Sequence, residues 1–209
     1  MLDFQTALSF FGVSILLGLS PGPDNLFVLM QSAIQGRKAG MLVVLGLCSG
    51  LIVHTTAIAM GLAAVFAASA TAFIVMKFIG ATYLLYLAYQ AFRAPVSNAD
   101  DSQSAVRLQA RKLYLRGIVM NLTNPKVVLF FLAFLPQFVS PEKGAVALQF
   151  FQLGGIFILA TLLAFGSISY FAATAGQRLR HSATAQRWMN RSASAVFAAL
   201  AVRLALSQR

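Results

Sequence analysis

The sequence predicts an all-α, polytopic membrane protein. It is one domain over residues 1–209, with six transmembrane helices in a 3+3 inverted repeat and helices 1 and 4 broken at proline. Three observations predict this. Hydrophobic residues make up 59% of the chain and charged residues 10%, against about 25% charged in an ordinary globular protein. The charges are clustered, so that residues 4–23, 39–76 and 144–177 contain no Asp, Glu, Lys or Arg. A bilayer span needs about 20 mostly apolar residues, and the second and third runs are each long enough to hold one. Finally, two apolar segments are interrupted by a proline and a charge, at Pro23-Asp24 and Pro125-Lys126.

Taken in order, the apolar segments place helices at 4–34, 40–64, 71–92, 112–138, 146–175 and 190–207. The first begins in "MLDFQTALSF", which has no basic region before its apolar part and therefore reads as a retained span rather than a cleaved signal peptide. The long polar segment "RAPVSNADDSQSAVRLQARK" separates three spans from three, with halves at about 1–92 and 112–209 and a polar loop over 93–111. Three is odd, so the halves insert in opposite senses, as in inverted-repeat transporters.

Orientation follows from the basic residues. The segments after helices 1, 3 and 5 carry Arg37, Lys38, Arg93, Arg107, Arg111, Lys112, Arg116, Arg178, Arg180, Arg187 and Arg191; the other side carries Lys77, Lys143, Arg203 and Arg209. Lys and Arg accumulate on the cytoplasmic side, so the polar loop is expected inside, both termini outside, and Trp188 near the inner interface. The net charge of +11 is thereby a topology signal and not a nucleic-acid footprint. The single cysteine, Cys48, lies in an apolar segment, which excludes a disulfide framework and leaves a thiol-disulfide exchanger without its second thiol.

The stretch "LGLSPGPDNLFVL" in helix 1 and "NLTNPKVVLFF" in helix 4 carry the chemistry. Proline removes a backbone donor and clashes with the carbonyl four residues earlier. In lipid the freed groups need partners inside the protein or in a water-filled cavity, so both breaks are expected to face the bundle interior. Each break creates a half-helix N-terminus suited to an anion. Asp24 offers a negative group for an ammonium or a proton. Lys126 offers a positive group for a carboxylate or for Asp24 itself, and Gly22 lets the backbone approach. Both polarities together suit a zwitterion such as an amino acid. The alternative is a buried Asp24–Lys126 pair that only holds helix 1 to helix 4. Ionisable groups at membrane depth are costly and usually line a pathway.

Other features are less specific. Gly46–Gly50 and Gly36–Gly40 are GxxxG spacings that fit close helix packing. His54, one turn past Gly50, reads equally as a proton relay or as a neutral histidine bonded to a neighbouring helix. Tyr83, Tyr86 and Tyr89 form a stripe expected to be a packing face rather than a substrate wall. Lys77 and Arg203 fit snorkelling cations, and Gln149 and Gln152 have no role in this reading. No GxSxG, Walker loop, HExxH or pair of closely spaced carboxylates is present, so no enzyme, no cofactor and no metal site is expected, and ATP coupling lacks a nucleotide site.

In order along nearly the whole chain, "SPGPDNLFVLMQSAIQGRKAG", "GLCSGLIVHTTAIAMGLAAVF", "FIGATYLLYLAYQAFR", "NLTNPKVVLFFLAFLPQFV" and "VFAALAVRLALSQR" resemble the LysE/RhtB family of bacterial amino-acid exporters. The resemblance implies a multi-pass protein of the bacterial inner membrane that exports amino acids or close derivatives, driven by the proton or membrane-potential gradient. Family substrates include lysine, arginine, threonine, homoserine, homoserine lactone and leucine, and the neutral-substrate branch is the more similar. The position of Asp24 is often Asn in the family, which marks an acid that tunes one member rather than a universal proton carrier.

The combined expectation is secondary efflux of a small neutral amino acid or derivative by alternating access, with protons as coupling ion and the bilayer as partner. The expected site comprises Pro21, Gly22, Pro23, Asp24, Asn25, Asn121, Asn124, Pro125, Lys126 and His54. A homo-oligomer is open, since glycine-rich faces serve contacts within or between chains. The competing readings are a cation or heavy-metal exporter, for which one carboxylate and one cysteine are a poor ligand set, and a non-transporting scaffold for a partner protein.

Overall fold

The computed structural model describes residues 2–20, 22–68, 109–180 and 183–206, together with residues 75, 78, 81, 82, 85, 86, 88, 89, 92 and 93. Every regular element among the described residues is helical. The main helices are α1 (Phe4–Leu19), α2 (Pro23–Gln35), α3 (Arg37–Ala68), α4 (Ala110–Thr123), α5 (Pro125–Leu129), α6 (Val146–Arg180) and α7 (Ala183–Leu206). The described residues between 75 and 93 are helical as well, in the region expected for the third span.

The two long charge-free runs become the uninterrupted apolar helices Arg37–Gly61 and Val146–Ala172, each long enough to cross a membrane. The two proline-containing segments become bent pairs. Phe4–Leu19 and Pro23–Gln35 meet at 64°, and Ala110–Thr123 meets Pro125–Phe138 at 49°. Counting each bent pair as one span gives up to four crossings among these helices. Residues 94–108 of the expected polar loop, Lys77 and Tyr83 lie outside the described residues.

Several boundaries differ from the sequence expectation. The sixth helix starts at Ala183 rather than 190, and α6 continues to Arg180. Arg178, Arg180, Arg187 and Arg191 therefore stand on helices and not in a loop. Apolar content locates the part of a helix in lipid; it does not locate the end of a helix that runs on into water. Arg37 likewise opens α3 and stacks over the Tyr170 ring at 3.8 Å, which ties its charge to α6. Tyr86 and Tyr89 are each more than half exposed, and Arg93 Nε donates to the Tyr89 hydroxyl.

Glycine sets the helix contacts. At the α3–α4 crossing, a Cβ on Gly46 would overlap the Tyr114 carbonyl and come within 3.0 Å of Gly117 Cα and Ile118 N. Only bare backbone fits there. One turn on, Gly50 faces the Asn121 side chain, so the Gly46–Gly50 spacing is a packing surface. The Gly36–Gly40 spacing divides its work. Gly36 turns α2 into α3 at φ 86°, a left-handed conformation that glycine adopts without cost. Gly40 receives Ser32 and Ser169, whose hydroxyls bond each other at 3.0 Å.

The apolar core is divided at the breaks. One cluster joins Phe10 and Leu17 of α1 to Val127, Phe130, Phe131 and Phe134 of the other broken span. The second joins Val28 of α2 to Leu113 of α4, with Val43, Val44 and Leu47 of α3. After α5 the backbone widens into a π-helical turn over Phe130–Phe134, where the Leu135 N–H reaches back to the Phe130 carbonyl. That turn feeds its phenylalanines into the first cluster, and Phe130 and Phe134 stack at 5.0 Å.

Candidate functional site

Both breaks face the interior. Asp24 is 5% exposed, Asn124 5% and Lys126 8%. The backbone explains why these polar residues are there. Pro21 and Pro23 cannot donate to the carbonyls of α1, and α1 ends at Ser20 in extended backbone (ψ 135°). Its last carbonyls are satisfied one by one. Leu16 accepts from the Ser20 N–H and Leu17 from the Ser20 hydroxyl at 2.8 Å. Gly18 accepts from Asn25 Nδ2 at 2.7 Å, and Ser20 itself from Lys126 Nζ at 3.0 Å. Lys126 Nζ also donates to Ser20 Oγ at 2.8 Å. A cation from the second half thus sits on the negative end of α1, where the helix dipole favours it.

The second break follows the same logic. Pro125 cannot donate to the Asn121 carbonyl, so that carbonyl accepts from the Asn124 N–H at 3.2 Å. His54 Nε2 lies 3.3 Å from the same oxygen. A carbonyl only accepts, so this Nε2 carries the proton and donates. His54 is thereby bonded to a neighbouring helix. Asn124 then serves both breaks. Its Oδ1 caps α5 by accepting from the Lys126 N–H at 3.0 Å, and its Nδ2 donates to Asp24 Oδ2 at 2.7 Å.

Asn124 accordingly bonds the backbone of one charged residue and the carboxylate of the other. Lys126 Nζ donates to Ser20 and Asp24 Oδ2 accepts from Asn124, and Lys143 and Asp3 form an ion pair at 2.6 Å. Three buried side-chain oxygens at the breaks have no hydrogen-bond partner among the described residues: Asp24 Oδ1, Asn25 Oδ1 and Asn121 Oδ1. Gly22 is extended at φ −172°, and a Cβ added there would lie 3.5 Å from Lys126 Nζ and 3.7 Å from Asn25 Oδ1. Of the ten residues expected in the site, the structure brings together Gly22, Pro23, Asp24, Asn25, Asn121, Asn124, Pro125, Lys126 and His54. Pro21 lies outside the described residues. Ser20 was missed; as a serine before a proline it carried the signal of a helix-ending cap.

A cavity of about 450 Å³ opens at the other end of α1, lined in part by Asp3, Gln5, Ser9, Gln137, Lys143 and Gln149. Several of its groups bond one another. Lys143 and the Thr6 N–H hold the Asp3 carboxyl well below the usual carboxylate range, and Gln149 exchanges bonds with both backbone groups of Ser140. Gln152 accepts from the Leu2 N–H at 3.4 Å. The two glutamines without a sequence role thus tie down this end of the molecule. The buried side-chain oxygens without a partner among the described residues lie at the breaks. No group of three His, Cys, Asp or Glu among the described residues is placed to hold a metal ion.

Residues 15–208 match the family of LysE type translocators. The chain belongs to the LysE family. It is a membrane translocator and not an enzyme. Among curated LysE-family relatives, the homoserine/homoserine lactone efflux protein of Salmonella typhimurium is 34% identical over 154 residues, covering 73% of each chain. The threonine efflux protein of Salmonella typhi is 29% identical over 216 residues, covering 100% of this chain and 99% of its own. The membrane protein YrhP of Bacillus subtilis is 30% identical over 186 residues, covering 85% and 88%. No solved structure matches the chain.

Proposed function

We propose that this LysE-family protein exports a small neutral amino acid or derivative from the cytoplasm by secondary transport, at a site formed by the two breaks. One observation carries the reading: one oxygen of a buried carboxylate and two buried amide oxygens have no partner among the described residues where two helices are broken. Orphaned polar groups at membrane depth are costly, and their usual use is to line a pathway. The relatives named for homoserine, homoserine lactone and threonine efflux support a small, uncharged side chain in the substrate.

Asp24 takes the substrate ammonium or exchanges a proton. The bends supply the joints of an alternating-access cycle in which the halves rock about the site. The proton gradient drives export, both termini face outward and the membrane is the bacterial inner one; the basic residues on one side support that orientation. The test is export of labelled homoserine, threonine and leucine from loaded cells with and without a protonophore. Each is repeated with Asp24→Asn and Lys126→Gln. Gradient-dependent export that both variants reduce is the expected result. Undiminished export by both would remove these residues from the mechanism.

A further inference from the structure

The breaks and the cavity lie at opposite ends of the same two elements, with a layer of aromatic rings between them. On α1, Thr6 lines the cavity, and Phe10, Ser14 and Leu17 follow it at helical spacing on one face, ahead of the break at Ser20. All three are buried. The second bent span runs the other way, from Lys126 at its break through Phe130 to Phe134, Gln137 and Phe138, which line the cavity again. At 1.5 Å per residue the cavity and the break are about 20 Å apart along α1.

The layer is continuous across three elements. Phe10 packs on Phe138 with ring centroids 5.0 Å apart and on Phe130 at 6.1 Å. Phe134 meets Phe138 at 5.2 Å, and Phe157 of α6 backs Phe130 at 5.3 Å. Phe10, Phe130 and Phe134 are at most 1% exposed. The side chains of Asp3 and Lys143, which also line the cavity, are 44% and 53% exposed. The cavity therefore opens to the surface, and Phe134 and Phe138 belong to both its wall and the layer.

We propose that this aromatic layer is the gate between the breaks and the cavity, and that solute passes through the cavity when Phe134 and Phe138 part from Phe10. The proposal rests on the site read above and deepens it by naming the route that leads from it. Rings in contact separate without breaking a hydrogen bond. The segment that carries them is also the least regular part of its span. Pro125 and Pro136 stand on either side of Phe130 and Phe134, and neither proline can donate to the turn before it. The two phenylalanines bound a π-helical turn, a form found mostly as single turns at functional sites. An aromatic core accounts for the burial, but it requires neither that turn nor an open polar cavity against the rings.

The experiment uses the full chain with Cys48→Ala, in membrane vesicles of both orientations, and a small membrane-impermeant methanethiosulfonate. Gln5→Cys reports the cavity and identifies the side from which it is reached. Ser14→Cys, on the break side of Phe10, is then probed from that side. At rest it is expected to react more than about tenfold slower than Gln5→Cys, and adding Phe134→Ala removes most of the difference. Phe134→Leu, which keeps the layer apolar, gives a smaller rise in the same direction. Leu113→Ala, also buried but in the other apolar cluster, gives none. During export of homoserine or threonine the rate at Ser14→Cys rises as well. The gate is overturned by no reaction at Gln5→Cys from either side, by equal resting rates at the two positions, by a rise with Leu113→Ala as large as with Phe134→Ala, or by no rise during transport. Failure of the unmodified chain to move either solute overturns the export reading instead, and the gate falls with it.

Discussion

Replacing Asn124 tests the link between the halves. Its side chain makes two bonds at once, accepting from the Lys126 N–H at 3.0 Å and donating to the Asp24 carboxylate at 2.7 Å. Losing an N-cap costs about 0.5–2 kcal/mol. Losing a hydrogen bond to a charged group costs about 1.5–3 kcal/mol. Asn124→Ala is therefore expected to destabilise the protein by about 2–5 kcal/mol. The two contributions separate in a double-mutant cycle. With Asp24→Ala in place, Asn124→Ala loses only the cap, so the coupling between the positions is about 1.5–3 kcal/mol. Asn124→Asp sharpens the test, because it keeps a capping oxygen but sets a second carboxylate against Asp24. It should cost more than alanine does. Unfolding free energies measured in micelles, by steric trapping or denaturant titration, give each value. Costs that add within about 0.5 kcal/mol would refute the Asn124–Asp24 link.

Other outcomes follow from the same geometry. Gly46→Ala sets a methyl against the α4 backbone and should cost about 1–3 kcal/mol. Gly155→Ala, with nothing within 4 Å of its Cβ, should be neutral or gain up to about 1 kcal/mol; thermal unfolding in detergent gives the order. Gly22→Ala keeps an ordinary extended backbone and ordinary contacts at 3.5 and 3.7 Å, so it should fold normally yet slow transport, and unimpaired transport would show that the space is unused. Ser20→Ala strips the Leu17 carbonyl of its donor and should cost about 1–3 kcal/mol, read from the same unfolding curves. Asp3 is held charged by Lys143 and Thr6. Its contribution is present above the ordinary carboxylate pKa and is lost only as pH falls through the depressed folded value, so acidification from neutrality to mildly acid pH should leave the Asp3–Lys143 pair closed. Accessibility of a cysteine placed at Gln5 in the cavity, with Cys48 removed, should not change over that range.

The chemistry of the breaks was legible because proline and charge are conspicuous in apolar sequence. Pro23, Asp24, Pro125 and Lys126 mark the bends without any knowledge of the fold. Their partners were not legible. Asp24 and Lys126 look like a pair by charge alone, yet the carbonyl released at Ser20 competes for the ammonium, and Asn124 is placed by its own proline to take the carboxylate. Helix faces were also hidden. α3 is apolar on all sides, so its sequence carries no stripe that says where Gly46 points; only the partner backbone of Gly117 does. Extension of α6 to Arg180 was missed because a hydropathy pattern stops at the membrane boundary and a helix does not.

The cap on α1 has a consequence for synthesis. Ser20 emerges from the ribosome long before Lys126, which is 106 residues further along the chain, and Asp24 waits 100 residues for Asn124. Until the second bent pair arrives, the first holds a cut carbonyl end and a bare carboxylate, groups that lipid cannot solvate. The segment that ends before the second break is thus able to insert but not to settle, and the chain made as two polypeptides divided between the two breaks should survive in cells only when both are present.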